Sequence, residues 1–235
     1  SYITGSELNT DCLYGGTCEQ ISVLVPYVPA VPSSCAYSSI TNISTGRAWG
    51  GGAGANGNST IIWGGYINPS SQCVQCTEEW DGSSWSAGGA TTYRMYHQEI
   101  AGGTADAALY LGGYSAPSYR CYMETYNGNS WSSGPNSPTT QTRGAGAGTT
   151  NTFIAAGGYP GSSWNGIAQT YNGSSWASST SLPYTQAIAV AAGTSADDAA
   201  VFSGYPGSSW SPGVRSHNIW NGSSWSAGAC LINGR

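Results

Sequence analysis

The segment Tyr-Asn-Gly-Ser-Ser-Trp at residues 171–176 decides the fold, because close relatives of it recur at intervals of about 47 residues. A Gly-Gly-Tyr motif, or Ser-Gly-Tyr in the last copy, precedes every one of these segments. The order of the two motifs is the same each time, so the chain is built from repeats. The related segments are 80–85, 126–131 and 220–225, and the preceding motifs are 64–66, 112–114, 157–159 and 203–205.

Each repeat predicts a small antiparallel sheet of four short strands separated by turn residues. Asn172-Gly173 favours a two-residue type I′ hairpin between the last two strands, with positive φ at both positions. The first strand is made of small residues, which favours close backbone approach around a central axis. In this copy the expected strands are 144–149, 152–157, 167–171 and 175–179.

Radial stacking of such sheets buries both of their faces and leaves only short edges. The sequence therefore predicts an all-β protein, a single β-propeller domain over 1–235 with about five four-stranded blades. Gly15 and Gly16 lie one period before the first Gly-Gly-Tyr motif, so the N-terminal part is expected to be a degenerate first blade. The expected blades are 1–46, 47–93, 94–142, 143–185 and 186–235.

These repeats resemble the kelch family. In both, a Gly-Gly doublet follows a hydrophobic strand, and a Tyr or Trp and then a second Trp come after it. The Asn-Gly-Ser-Ser-Trp form is also similar to kelch-like repeats in surface proteins of marine phages and bacteria. The resemblance covers residues 47–235 and implies a propeller that serves surface attachment or virion structure.

The charge balance limits the classes of partner. The chain has six Arg, no Lys and eleven acidic residues, for a net charge of −5. Nucleic-acid binding needs clustered cations, so we expect no nucleic-acid partner. The longest apolar stretches are too short to span a bilayer, so we expect no membrane span. A weakly charged surface favours packing against other copies of the chain.

Seven cysteines in a chain with little ionic surface predict an oxidising, extracellular location or the surface of a cell or virion. Cys73 and Cys76 have the spacing of half a zinc or redox motif, but a structural disulfide is expected there, with Cys121 as a further partner. Cys230 is expected either to join an N-terminal cysteine and link the last blade to the first, or to pair elsewhere. The N-terminal cysteines are Cys12, Cys18 and Cys35, of which the first two also suit a local pair.

Four Asn-x-Ser/Thr sequons predict glycosylation in an extracellular protein. The acceptor residues are Asn42, Asn58, Asn172 and Asn221.

No residue pattern predicts catalysis, a metal or a cofactor. His97 and His217 fall at unrelated places in the repeat, and His97 is expected to be a buried residue of an inner strand. Neighbouring acids such as Glu78 and Glu79 point to opposite faces of a strand and do not form a catalytic pair. Glu78 aligns with Glu124, Gln169 and Asn218, a position expected to hold each blade together. Its expected partner is a recurring Arg, at Arg47, Arg94, Arg143 and Arg235, with Gln186 in the remaining copy.

The connections between strands two and three, and between strand four and the next strand one, emerge on the same face of a propeller. Aromatic residues in these connections either pack on a neighbouring blade, contact another protein or bind a glycan. We therefore expect a non-catalytic structural or adhesive module that contacts its own copies or other surface or virion proteins. The alternative is a lectin-like protein that binds a glycan or a host receptor. The candidate binding residues are Tyr159, Trp164, Tyr205, Trp210, Arg94 and Arg143.

Overall fold

The computed structural model describes residues 2–4, 24–26, 41–67, 72–206 and 214–232. The chain forms two compact units, Ser1–Ile40 and Thr41–Arg235. The described part of the first unit is an antiparallel pair, β1 (Tyr2–Thr4) and β2 (Leu24–Pro26). Of the degenerate blade expected at residues 1–46, residues 1, 5–23 and 27–40 lie outside the described residues.

The second unit contains four four-stranded antiparallel sheets. We call them blades 1 to 4, formed by β3-β4-β7-β8, β9–β12, β13–β16 and β17–β20. The pair β5-β6 is a separate short hairpin in blade 1. In chain order the strands are β3 (Gly51–Asn56), β4 (Ser59–Trp63), β5 (Tyr66–Ile67), β6 (Gln72–Cys73), β7 (Thr77–Trp80), β8 (Trp85–Gly88), β9 (Ala101–Thr104), β10 (Ala107–Ser115), β11 (Ser118–Tyr126), β12 (Trp131–Ser133), β13 (Ala145–Thr149), β14 (Thr152–Gly158), β15 (Asn165–Tyr171), β16 (Trp176–Ser179), β17 (Val190–Ser195), β18 (Asp198–Phe202), β19 (His217–Trp220) and β20 (Trp225–Ala227).

The all-β propeller arrangement predicted from the repeats is confirmed, and the described segments contain no helix. In blade 3 the bounds of the four strands differ from the expected ones by at most two residues. The number of blades differs from the expectation, because the described residues form four blades and not about five.

The first strands of successive blades contact one another, β3 with β9, β9 with β13 and β13 with β17. Their small residues are required by this contact. A Cβ atom on Gly146 would lie 2.5 Å from Phe153 Cζ and 2.9 Å from the backbone nitrogen of Ala101 in the neighbouring blade. The close approach predicted from the composition of these strands is therefore confirmed.

Replacing Gly146 by Ala should destabilise the protein, because the methyl group overpacks the contact between blades 2 and 3. We expect Gly146→Ala to lower the free energy of unfolding by about 1–3 kcal/mol. The matched control is Gly57→Ala, since a Cβ atom there meets nothing within 4 Å. Urea unfolding of both variants tests this, and equal stabilities would contradict the close approach.

The hairpin between strands three and four is not the predicted two-residue type I′ turn. Tyr171 lies opposite Trp176, so the loop has four residues, and only Gly173 has positive φ. The side-chain oxygen of Asn172 accepts hydrogen bonds from the backbone N–H groups of Ser174 and Ser175, at 3.0 and 2.9 Å. The Asn side chain thus stabilises a wider loop in place of the tight turn.

Asp81 replaces this Asn in blade 1 and makes the loop sensitive to pH. Hydrogen bonds from the backbone N–H groups of Ser84 and Ser83 lower its pKa from 3.8 to about 2. The charged form is therefore stabilised by folding, and this contribution is present above pH 3.8 and lost as the pH falls through about 2.

Asp81→Asn should remove this dependence, because Asn accepts the same hydrogen bonds without titrating. We expect the stability difference between wild type and variant to narrow as the pH falls from 3.8 to about 2. Thermal unfolding across that range measures the difference. A constant difference would show that the carboxylate does not hold the loop.

The last Trp of each motif connects its blade to the chain before it. Trp131 packs its ring 4.9 Å from Trp63 of blade 1, and its indole N–H donates to Thr77 Oγ1 at 2.9 Å. Trp225 likewise donates to the carbonyl oxygen of Thr180 at 2.8 Å. The aromatic core therefore lies mainly between blades.

In blades 1 to 3 a polar residue of the third strand holds the segment that leads into the first strand. In blade 3 the side-chain oxygen of Gln169 accepts a hydrogen bond from Thr139 N at 3.2 Å, and its amide donates to Gln141 Oε1 at 2.7 Å. The residue itself is fully buried. We call these segments, and the equivalent segment of blade 4, crossing segments; they are 41–47, 89–95, 135–141 and 182–186.

Blades 1 and 2 use carboxylates at this position. The backbone N–H of Thr92 donates to both carboxylate oxygens of Glu124, each at 3.1 Å. Glu78 accepts one from Ser44 N at 2.6 Å and forms an ion pair with Arg47. Burial alone would raise the pKa of Glu78, but the hydrogen bonds from Ser44 and the charge of Arg47 lower it below its usual value. The predicted role of this position is confirmed in blades 1 to 3, with an Arg partner in blade 1.

The repeat alignment of the other Arg residues is wrong. Arg47 precedes Ala48, which pairs with Tyr66 in an isolated bridge, and Gln141 and Gln186 occupy the same place before Thr142 and Ala187. Arg47 and Gln141 also contact equivalent carbonyl groups. In this register Arg94 lies one residue before the position that precedes the bridge residue, and Arg143 lies two residues after that position. Arg235 lies outside the described residues.

Candidate functional site

Four equivalent residues lie at the end of the central axis, each in a left-handed backbone conformation. Each one directly follows a bridge residue and precedes the first strand of its blade. Backbone hydrogen bonds join neighbours, from His97 N to Trp49 O at 2.8 Å and from Ile188 N to Arg143 O at 2.6 Å. We call these residues the axial set; their φ angles are 57° at Trp49, 61° at His97, 56° at Arg143 and 54° at Ile188.

The backbone of the axial set stores strain. A left-handed conformation costs an L-residue about 1–2 kcal/mol, and a glycine would avoid this cost. Ile188 is β-branched, for which positive φ is a genuine outlier. Strained non-glycine residues concentrate at functional sites, so their repetition at one place in four blades marks this end of the axis as a candidate site.

The sequence did not predict this set. His97 was expected on an inner strand, but it precedes β9, because the left-handed turn comes before the strand begins. It is buried, as expected, with 6% of its surface exposed, whereas Trp49 and Ile188 are 52% and 41% exposed. Aligning the repeats on the Tyr of the Gly-Gly-Tyr motif, and not on Arg, would have brought three of these positions together, with Arg143 one residue out of line.

A chain of hydrogen bonds crosses the axial set from blade 2 to blade 3. Arg143 Nη2 lies 2.7 Å from His97 Nε2, and His97 Nδ1 lies 3.1 Å from Glu99 Oε1. A guanidinium only donates hydrogen bonds, so His97 Nε2 must accept and the imidazole proton must lie on Nδ1. Both ring nitrogens are therefore engaged, and the guanidinium is fixed in orientation.

NMR of labelled imidazole nitrogens should find His97 as the tautomer protonated at Nδ1. Arg143→Leu removes the donor to Nε2 and should shift the tautomer equilibrium, while Arg94→Leu should leave it unchanged. A wild-type imidazole with its proton on Nε2 would contradict the hydrogen-bond chain.

Seven aromatic side chains form a continuous band that begins at the axial set and crosses blades 1 to 3. Successive ring centroids lie between 4.7 and 5.7 Å apart, in the range of favourable aromatic pairs. All but Trp49 are half-buried. This aromatic band consists of Trp49, Tyr66, Tyr96, Tyr114, Tyr119, Tyr159 and Trp164.

Arg143 joins the axial set to the far end of the aromatic band. Its guanidinium carbon lies 6.0 Å from the ring centroids of both Tyr159 and Trp164, at the limit of a cation–π contact. Burial raises the pKa of Tyr119, and the charge of Arg143 opposes that rise only in part. The Tyr119 hydroxyl therefore remains a hydrogen-bond donor at neutral pH.

Of the six residues predicted to bind a ligand, the structure brings together Arg143, Tyr159 and Trp164. Tyr205 pairs with Ala187 in the equivalent bridge of blade 4. Arg94 is exposed outside the band, and its Nε donates to Gln75 Oε1 at 2.9 Å. Trp210 lies outside the described residues.

The sequon residues Asn42, Asn58, Asn172 and Asn221 are all exposed. Asn221 Oδ1 accepts a hydrogen bond from Ser224 N at 2.9 Å, as Asn172 does from Ser175 N. Attachment of a glycan at the side-chain nitrogen would leave these hydrogen bonds in place. Glycosylation at the four residues stays a prediction.

The predicted disulfides of Cys76, Cys121 and Cys230 are absent, because all three are free thiols. Cys76 lies two residues before Glu78 and Cys121 lies three before Glu124, so the two cysteines do not occupy equivalent positions in the repeat. Cys230 is exposed. The remaining pairing predictions concern Cys12, Cys18, Cys35 and the side chain of Cys73, which lie outside what the structure describes.

Within the described ranges, no group of three or more His, Cys, Asp and Glu side chains is arranged to hold a metal ion. None of the described segments forms a helix of the length and apolar character that crossing a membrane requires.

Comparison with protein-family models and with curated proteins finds no match for this chain.

Proposed function

We propose that this protein is a non-catalytic attachment module of an extracellular, cell or virion surface, and that it binds its partner through the axial set and the aromatic band. The observation that carries the proposal is the left-handed conformation of four large residues at one end of the axis. A fold that needed only to close its turns there would be more stable with glycine.

The composition of this surface suits a protein partner, including a second copy of the chain. Aromatic and Arg residues are enriched at the centres of protein interfaces, and Trp49, Tyr96 and Arg143 supply both types. Few charges oppose self-association in a chain with 17 charged residues, six Arg and eleven acids. Since both nitrogens of His97 are already engaged, the site offers no free imidazole for acid–base catalysis.

A glycan is the second candidate ligand, supported by the corner formed by Arg143, Tyr159 and Trp164. The two rings lie 5.2 Å apart, and the guanidinium lies beside both. Aromatic faces next to fixed hydrogen-bond donors suit sugar rings, which have an apolar face and a polar rim.

The kelch type of the blades is part of the same proposal. Its support is the position of the motifs. The Gly-Gly doublet lies within the last four residues of strand two in blades 2 and 3 and directly after that strand in blade 1. The Tyr or Trp is the last residue of strand three, and the last Trp is the first residue of strand four. A fifth blade is proposed from the repeat period alone.

Ile188→Gly tests whether the axial set trades stability for binding. Relief of about 1–2 kcal/mol of backbone strain should offset the lost contacts, so we expect the free energy of unfolding to stay within about 1 kcal/mol of wild type. Val190→Gly is the matched control, since Val190 is exposed but lies within β17. We expect this variant to lower the free energy of unfolding by about 1–2 kcal/mol. Denaturant unfolding measures both.

Self-association of the same variants tests the attachment. Sedimentation velocity should detect assembly of the wild type, weakened by about tenfold in Trp49→Gly and Ile188→Gly but not in Val190→Gly. The second candidate would be favoured if the wild type stays monomeric and binds a glycan on an array, and if Trp164→Ala loses that binding. A wild type that stays monomeric would overturn attachment between copies of the chain, and a wild type that binds no glycan would overturn the second candidate.

A further inference from the structure

The two ends of the four blades differ in their charged residues. Each first strand begins beside the axial set and runs away from it, so the turn between strands one and two lies at the opposite end. The loop between strands three and four contacts this turn, since a Cβ atom on Gly128 would lie 3.6 Å from Asp106 Cα. We call this end the far end; its turns are 57–58, 105–106, 150–151 and 196–197, and its loops are 81–84, 127–130, 172–175 and 221–224.

The far end carries negative charge. Asp81, Asp106 and Asp197 stand in its turns and loops. Asp198 begins the adjoining strand β18, and all four acids are exposed. Hydrogen bonds within its loop lower the pKa of Asp81 to about 2, so this carboxylate is charged at neutral pH. The turns and loops of the far end contain no Arg that would neutralise these charges.

The end that bears the axial set, which we call the axial end, carries positive charge. Its arginines stand before or near the start of a first or third strand, and these strands begin at this end. The only acid in the described connections of this end is Glu99, which is paired with His97. The connections 68–71 and 207–213, which the structure does not describe, contain no charged residue. The exposed or half-buried arginines of the axial end are Arg94, Arg120, Arg143 and Arg215.

Arg143 keeps a hydrogen-bond donor for a partner. The ion pairs among the described residues are Arg47 with Glu78 and His97 with Glu99, so Arg143 has no carboxylate partner there. Its Nη2 is fixed against His97, and its Nε is enclosed. Its Nη1 makes no hydrogen bond to a described residue and is not enclosed. A guanidinium held in one orientation with a donor to spare favours a carboxylate.

The charges of the two ends determine which ends can meet. Two axial ends would bring arginines together, and two far ends would bring exposed aspartates together. Like charges that face each other across an interface are unfavourable, whereas an axial end and a far end have complementary charge. A contact between unlike ends is therefore favoured over a symmetric dimer.

We propose that the axial end binds the far end of a second copy of the chain. The Arg guanidinium groups of one copy donate to the aspartates of the other, and the aromatic band packs on its Gly-Ser loops. This inference rests on the function proposed above and adds which surface of the second copy the axial end takes. Because the two ends point in opposite directions, each added copy offers a new end of each kind, so assembly produces open stacks and not closed dimers.

The wild type tests this without any substitution. Sedimentation velocity over a series of concentrations should detect trimers and larger species above the dimer. Raising the salt concentration from about 50 to about 500 mM should weaken assembly by about tenfold, because salt screens exposed charges. Assembly that stops at a dimer, or that salt does not weaken, would overturn the contact between unlike ends but not the proposed function. A chain that stays monomeric would overturn both.

Two variants that each block one end give the sharper test. The far-end variant combines Asp106→Asn and Asp197→Asn, and Asn already occupies the equivalent turn position in blades 1 and 3. The axial variant is Arg143→Gln. Each variant alone should assemble about tenfold more weakly than the wild type. At a concentration where neither assembles alone, the equimolar mixture should form a dimer that does not grow, because it contains one intact end of each kind.

The matched control for the far-end variant combines Asp106→Glu and Asp197→Glu, which keeps the charge and should assemble as the wild type does. Circular dichroism checks that each variant folds, and the wild-type measurements decide the question if one does not. If the far-end variant assembles as the wild type does, or if the mixture of folded variants stays monomeric, the contact between unlike ends is wrong. If Arg143→Gln and Trp49→Gly both assemble as the wild type does, the axial set is not the attachment site, and the proposed function fails as well.

Discussion

A buried polar side chain in the third strand holds the crossing segment of three blades, and the placement of the other parts depends on this contact. The crossing segment before blade 3 is also bonded to blade 2, where Ser137 N donates to Cys121 O at 3.1 Å. Each segment thus fixes two blades relative to each other. Because a left-handed residue follows each crossing segment after one bridge residue, the same contact helps to determine where the axial set lies.

The chain satisfies this buried position differently in each blade. Blade 1 pairs Glu78 with Arg47, blade 2 pairs Glu124 with the hydroxyl of Tyr110, and blade 3 pairs Gln169 with Gln141. The partner changes with the side chain because a buried polar group without one is costly. Burial and the charge of Glu124 accordingly raise the pKa of Tyr110 above its usual range. In blade 4 the side-chain nitrogen of Asn218 has no such partner among the described residues.

The repeat motifs predicted the strands well, because hydrophobic runs and Gly-rich turns decide them locally. The hairpin was predicted wrongly, because Asn172 acts through its side chain and so needs no positive φ of its own. The axial set escaped prediction for a different reason. Its members Trp, His, Arg and Ile share no chemistry, and their common feature is a backbone conformation imposed by packing between blades.

The location of the candidate site follows from the same packing. A Cβ atom on Gly146 would overlap Phe153 and the backbone of Ala101, so the contact between the first strands of blades 2 and 3 admits no larger side chain at this position. The axial set lies just before the first strands begin, where the turn into the strand has positive φ. Accepting that strain is therefore the condition for placing Trp49 or Arg143 at the axis. The close approach of the first strands favours small residues between the blades, and the large residues of the axial set stand just before those strands.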